Sequence, residues 1–212
     1  MENKQNDFWS GEFGKAYTDR NSRSEVEWDQ FYMHNWGKTK IAMNDEIIGS
    51  LSRNSKILEV GCNTGMQLNG LQRMGFENLY GVELQPYAAE MAKKYTKNIN
   101  IVCASGFDIP FKDHFFDVVC TNGVLIHISP DSLKNIMSEM YRCSKKYIMG
   151  FEYFAVEITS VNYRGYENYL WKADYATIFQ EHFPDLRLIK CIKYPYIVNR
   201  ANVDYMYLLE KS

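Results

Sequence analysis

Between residues 56 and 154 short apolar runs alternate with segments whose apolar positions recur at three- and four-residue spacing. KILEV (56–60), LYGVE (79–83), NINIVCA (98–104), FFDVVCTN (115–122) and KYIMGFEYF (146–154) read as strands bounded by glycine, proline or polar turns. Between them lie helical segments. One runs through Leu68 and Leu71 to Met74 and ends at Gly75, where glycine accepts the left-handed backbone of a helix cap. A second opens at Pro86 and reaches Thr96, and a third opens at Ser129-Pro130-Asp131 and runs through Leu133, Ile136 and Met140. Strands joined by helices predict a parallel, doubly wound α/β sheet of Rossmann-like type.

The texture differs on either side of this core. Residues 1–54 mix aromatic and charged positions, with Ile41, Ile47, Ile48 and Leu51 at helical spacing, and read as two helices forming an N-terminal helical cap or substrate lid. Residues 55–212 form the core, with a substrate-side insertion at about 152–170. The tail predicts a helix over 172–182, then LRLIKCIKY (186–194) and VDYMYLLEK (203–211) as a C-terminal antiparallel hairpin at the sheet edge, which completes a mostly parallel seven-stranded sheet.

Composition narrows the function class. The 212 residues are 46% hydrophobic, enough for one compact domain, and 24 basic against 26 acidic residues leave a net charge of −2 with no basic stripe for nucleic acid. The five cysteines form no C-x-x-C pair and read as reduced, packed thiols. MENKQNDFWS lacks the basic start and apolar stretch of a signal peptide, and no apolar run is long enough to cross a membrane. The expectation is a cytoplasmic protein with a small-molecule partner, no nucleic acid and no membrane. His34, His114 and His182 have no neighbours at metal-ligand spacing, so no metal is expected.

The candidate chemistry gathers at the carboxyl ends of the strands, where open α/β sheets bind ligands. Gly61-Cys62-Asn63-Thr64-Gly65 follows the first strand in G-x-x-x-G spacing, which lacks the third glycine of a pyrophosphate fingerprint and disfavours a nicotinamide cofactor. Glu59 precedes the loop and is either a ligand-facing carboxylate or half of an ordinary ion pair; Glu83 ends the second strand and is either a ribose acceptor or a solvated strand end. His127, after the fourth strand, is a general-base candidate or a packed ring between Ile126 and Ile128. Tyr17, Arg20 and Asn21 share one helical face, and Tyr17 is either a hydroxyl presented to the site or a packed amphipathic aromatic. Glu152 and Arg164 follow the fifth strand, where substrate contacts arise, and Arg164 is either a two-point carboxylate clamp or a surface cation.

ILEVGCNTG (57–65), GVE (81–83), FDIPF (107–111), FFDVV (115–119) and GVLIHISPDSL (123–133) together resemble the ordered motifs of class I S-adenosylmethionine (SAM)-dependent methyltransferases, over roughly residues 55–150. More narrowly, FWSGEFGKAYTDRN (8–21), YRCSKKYIMGFEYF (141–154), YRGY (163–166) and LWKADY (170–175) resemble the pseudaminic acid biosynthesis-associated methylases across nearly the whole chain. The resemblance implies SAM as cofactor and S-adenosylhomocysteine (SAH) as product. By position it implies Gly61, Asn63 and Gly65 beside the methionine part, Glu83 and Leu84 at the ribose, Ser105, Gly106 and Phe107 at the adenine, and Asn122 and Leu125 at the sulfonium. Within this scheme Glu59 faces the methionine amino group, Tyr17 its carboxylate, and His127, Arg164 and Glu152 serve the acceptor. Ser105-Gly106 replaces the commoner Asp-Ala, which transfers adenine recognition to backbone at Gly106 and Phe107. Phe154-Ala155-Val156-Glu157 replaces the narrower family's N-P-x-P, and leaves the acceptor open among a nonulosonic acid, an activated sugar and a related glycan precursor. The activity implied is methyl transfer to an O or N atom; the alternatives are a non-catalytic SAM-binding partner and transfer of another group from a SAM derivative.

Overall fold

The computed structural model describes residues 4–212. The N-terminal region holds four helices where the sequence pattern predicts two: α1 (Lys4–Ser10), α2 (Glu12–Asn21), α3 (Glu25–Trp36) and α4 (Lys40–Ile48). Local chemistry makes the extra breaks. Ser24 and Glu27 form a reciprocal capping box that starts α3, Gly37 ends it with left-handed backbone, and the Thr39 side chain accepts from Ala42 N–H to start α4.

The core then alternates as the pattern requires: β1 (Lys56–Val60), α5 (Met66–Arg73), β2 (Asn78–Glu83), α6 (Pro86–Tyr95), β3 (Asn100–Cys103), β4 (Phe116–Asn122), α7 (Pro130–Cys143) and β5 (Ser144–Tyr153). A two-stranded ribbon, β6 (Thr159–Ser160) and β7 (Trp171–Lys172), lies in the insertion. Helix α8 (Tyr175–His182) starts three residues later than the pattern suggests because the Asp174 side chain accepts from Thr177 N–H and caps it there. The chain closes with β8 (Leu186–Pro195) and β9 (Val203–Lys211).

The seven strands are ordered β3-β2-β1-β4-β5-β9-β8. The first five are parallel; β9 pairs antiparallel with both β5 and β8, which makes β8 the edge strand of the terminal hairpin. Strand order reverses between β1 and β4, so their carboxyl ends diverge and leave a crevice. Alternate residues of each strand feed opposite faces. Leu58, Val60, Val119 and Ile148 pack under α7 and α8, whereas Ile57, Val118, Cys120 and Met149 pack under α4 and α5. Met43, Ile47 and Ile48 of α4 are fully buried in the second layer, so this helix belongs to the core packing while α1 and α2 cover the crevice. Among the described residues no helix is long and apolar enough to cross a membrane.

At the β5–β9 pairing Gly150 lies opposite Tyr207, and a Cβ on Gly150 would sit 2.3 Å from the phenol ring. That ring is fully buried and has no room to retreat. Gly150→Ala is expected to lower unfolding free energy by about 2 kcal/mol through overpacking, measured as a lower urea midpoint with an unchanged slope.

A cofactor-sized cleft at the strand switch point

The loop after β1 is built by backbone bonds. Gly61 and Cys62 N–H both donate to Val82 O, at 2.8 and 3.1 Å, which ties the loop to the end of β2. Gly61 has φ +73°, and a Cβ there would lie 2.6 Å from Val124 Cγ2; Gly65 has φ +80° at the start of α5, with Thr96 Cγ2 at the same 2.6 Å. Both positions need glycine for conformation and for space. Asn63 adopts φ +46°, which turns its N–H toward β2.

That N–H meets Glu83. One carboxylate oxygen of Glu83 accepts from Asn63 N–H and the other from Gln85 N–H, each at 2.8 Å. Burial raises the Glu83 pKa, and the amides oppose that rise by stabilising the ionised form. Each oxygen keeps a further lone pair for a ligand hydroxyl. Glu59, only 2% exposed, differs sharply: among the described residues its Oε2 has no hydrogen-bond partner and it forms no ion pair within 4 Å. Desolvation pushes its pKa well up, with the more distant charge of Lys40 acting the other way.

These groups border one cleft, open to solvent on one side. Of the residues singled out in the sequence, Tyr17, Glu59, Gly61, Asn63, Glu83, Leu84, Ser105, Gly106, Phe107, Asn122 and His127 line it. Gly65, Leu125, Glu152 and Arg164, also singled out in the sequence, are not on its wall; Gly65 caps the start of α5. Leu125 is wholly buried because the 3-10 turn Leu125–His127 directs it into the core, and Val124 lines the cleft instead. Glu152, 1% exposed, lies beneath that turn and accepts from Val124 and Ile126 N–H at 3.3 Å, away from any acceptor. Arg164 is exposed on the tip of a Tyr163–Tyr166 turn and is not part of the cleft wall. In the turn after β3 Phe107 N–H donates to Ser105 Oγ at 3.1 Å, so this amide is already used within the turn.

Helix α1 supplies residues that sequence reasoning passed over. Trp9 of α1 packs on His127 (centroids 4.6 Å apart) and edge-on to Tyr17 (5.3 Å). Gln85 Nε2 donates to the carbonyls of Trp9, Ser10 and Gly11, and Gln5 Oε1 accepts from Ser129 N–H, so α1 is fastened across both sides of the crevice. The aromatic Phe8-Trp9 pair was the available signal, but His127, Tyr163, Tyr166 and Tyr169, against which it packs, lie more than 100 residues away.

His127 Nδ1 is 2.7 Å from Tyr169 O. A carbonyl only accepts, so Nδ1 carries the hydrogen and Nε2 the lone pair. Burial pushes its pKa down to about 4, so the ring is neutral at neutral pH, between Trp9 and Tyr163.

Residues 58–147 match the model described as "Methyltransferase domain". In sequence the chain is 28% identical over 133 residues to EEF1A lysine methyltransferase 2 of Danio rerio, covering 55% of this chain and 54% of that protein. The chain spans about half the length of the curated relatives it matches. Among solved structures it is similar to the 1,6-didemethyltoxoflavin-N1-methyltransferase of Burkholderia thailandensis, bound to 1,6-didemethyltoxoflavin and SAH, at TM-score 0.71 and 14% identity over 94% of this chain and 85% of that one. It is also similar to the magnesium protoporphyrin IX methyltransferase of Synechocystis with bound SAM, at TM-score 0.68 and 12% identity over 100% and 99%. The mostly parallel seven-stranded architecture with its terminal antiparallel pair is the Rossmann-like class I methyltransferase fold.

Burial raises the Glu152 pKa from 4.5 to about 7, against the amides that favour the charged form. A carboxyl with a raised folded pKa holds its proton preferentially in the folded state, so its contribution is lost as pH rises from 4.5 through 7. Glu152→Gln is expected to lose less stability than the wild type between pH 5 and pH 8, read as Tm against pH.

Proposed function

We propose that this chain, whose core has the class I methyltransferase fold, uses SAM to methylate an O or N atom of a small molecule. The observation that carries the reading is the Glu83 carboxylate, held between two loop amides at the end of β2 with lone pairs left for the two hydroxyls of a ribose. Glu59 supports it independently. A buried carboxylate oxygen with no partner is costly, and a ligand ammonium at the cleft would satisfy it. Tyr17 would donate to the ligand carboxylate; burial pushes its pKa up to about 12, so its hydroxyl keeps its proton. Asn122 and Val124 would border the sulfonium, and Ser105, Gly106 and Leu84 the adenosine.

When bound, SAM supplies an already activated methyl electrophile. The protein's part is alignment of the acceptor and exclusion of water, which the lid helices α1 and α2 serve by roofing the cleft. His127 is the proton acceptor for a hydroxyl substrate. Its tautomer is set by Tyr169 O, and its low pKa keeps the Nε2 lone pair available at all pH values above about 4.

The finer reading of the acceptor, a nonulosonic acid or related sugar precursor, rests on the motif resemblance over residues 8–21, 141–154 and 163–175. Tyr163 of the last segment packs against His127 and Phe13.

SAM is expected to raise the Tm of the wild type, and Glu83→Ala to weaken SAM binding by about tenfold to a hundredfold, the loss associated with hydrogen bonds to a charged group. With an acceptor whose product gains the mass of one methyl, His127→Gln is expected to lower kcat by about 100-fold without changing SAM affinity. Absence of any SAM-dependent stabilisation would reject the assignment.

A further inference from the structure

Gln85 lies in the turn between β2 and α6 and is 7% exposed. Its polar groups serve three elements. The backbone N–H donates to the Glu83 carboxylate at 2.8 Å, and Oε1 accepts from Tyr87 N–H at 3.2 Å, which caps α6. Nε2 donates to the carbonyls of Trp9, Ser10 and Gly11 at 3.3, 2.8 and 2.9 Å. The last carbonyls of a helix have no donor within that helix, and the Gln85 amide supplies one where α1 ends and α2 begins.

Other contacts hold the same two helices. Across the crevice Gln5 Oε1 accepts from Ser129 N–H at 3.0 Å and Trp9 packs on His127. On the β2 side Tyr87 Oη donates to Asp19 at 2.8 Å in an exposed position, and Asn63 Nδ2 lies 3.5 Å from Thr18 Oγ1. An exposed side-chain pair contributes little, whereas the Gln85 amide is buried and aimed at backbone at the corner the helices share. Holding that corner holds both helices against the end of β2.

Trp9, Gly14, Tyr17 and Thr18 of α1 and α2 line the same cleft as Glu59 and Glu83. A ligand that meets those carboxylates at the strand ends and Tyr17 on α2 is enclosed between them, so the helices must part from the strand ends before it leaves. The chain continues to α3 through residues 22–24, with extended backbone at Ser22 and Ser24.

We infer that Gln85 is a positioning residue that holds the α1–α2 corner closed over the cleft, and that opening of this contact, with movement about residues 22–24, sets how fast SAM and SAH leave. This rests on the reading of the cleft as a SAM site. It goes beyond that reading by giving cofactor exchange to a residue that acts through the helices covering the site. The backbone amide of the same residue orients Glu83, so the cover and that carboxylate are held from one turn.

The test separates the cover from the α6 cap. Gln85→Glu keeps the acceptor that caps α6 but turns an acceptor on the three carbonyls. Gln85→Lys gives up the cap and keeps a donor, whose charge suits the carbonyl end of α1. Gln85→Met has neither, and removes the donor without adding a charge beside Glu83. In the intact, ligand-free chain, hydrogen exchange over residues 4–21 is expected to speed about tenfold in Gln85→Glu and Gln85→Met. In Gln85→Lys it is expected to stay near the wild-type rate, with faster exchange in the first turn of α6 instead. Labelled SAM, chased with unlabelled SAM, is expected to leave Gln85→Glu and Gln85→Met about tenfold faster than the wild type, and Gln85→Lys at close to the wild-type rate. Wild-type exchange over residues 4–21 in Gln85→Met would overturn the proposal, as would equal loosening of that segment in Gln85→Lys, or unchanged SAM release from a loosened cover. A wild type that retains no labelled SAM would reject the SAM reading and the release step with it; the exchange result is read without ligand and tells the two failures apart.

Discussion

Carboxylates buried at the carboxyl ends of parallel strands are the constraint on which the site depends. Glu59, Glu83 and Glu152 are 2%, 9% and 1% exposed, and an ionised carboxylate taken out of water must be repaid by directed donors or by a cation. The fold answers three ways. Glu83 is gripped by the amides of Asn63 and Gln85, Glu152 receives the amides of the turn after β4, and Glu59 is left with an unpartnered oxygen and only the distant charge of Lys40. The first two carboxylates are met by backbone amides, whereas the third keeps an oxygen with no partner among the described residues, on the wall of the cleft.

The loop geometry follows from the same requirement. Gly61 and Gly65 pass close to Val124 and Thr96 in left-handed conformation, so the loop can curl far enough for Asn63 N–H to reach Glu83. Glu152 in turn steadies residues 124–126, and so presents Val124 and His127 to the cleft while Leu125 anchors the turn in the core. The lid is latched onto this frame through Gln85 and Ser129, next to the two strand ends that diverge. Closing the cleft and holding its polar groups therefore use neighbouring residues of the same turns.

Local pattern exposed much of this. The apolar runs and glycine or proline stops located five parallel strands, the helices between them and the terminal hairpin, because period-two and period-3.6 burial leave their trace in the sequence. The G-x-x-x-G loop and the strand-end position of Glu83 marked one wall of the cleft for the same local reason. The four N-terminal helices were less legible: capping at Ser24 and Thr39 decides where they break, and those polar residues sat inside a mixed aromatic stretch that gave no clear period.

The sequence alone thus determined the α/β core, the glycine loop and the carboxylates at the strand ends, all of which depend on contacts between neighbours in the chain. Only the tertiary structure decided which of those groups face the cleft. Glu152 and Glu59 are both acidic residues at strand ends, yet one is closed over by the amides of residues 124–126 and the other opens on the cleft. Trp9 meets His127 and Lys40 meets Phe151 across more than 100 residues. Burial and partnership at such distances arise from packing the whole sheet, and no local spacing encodes them.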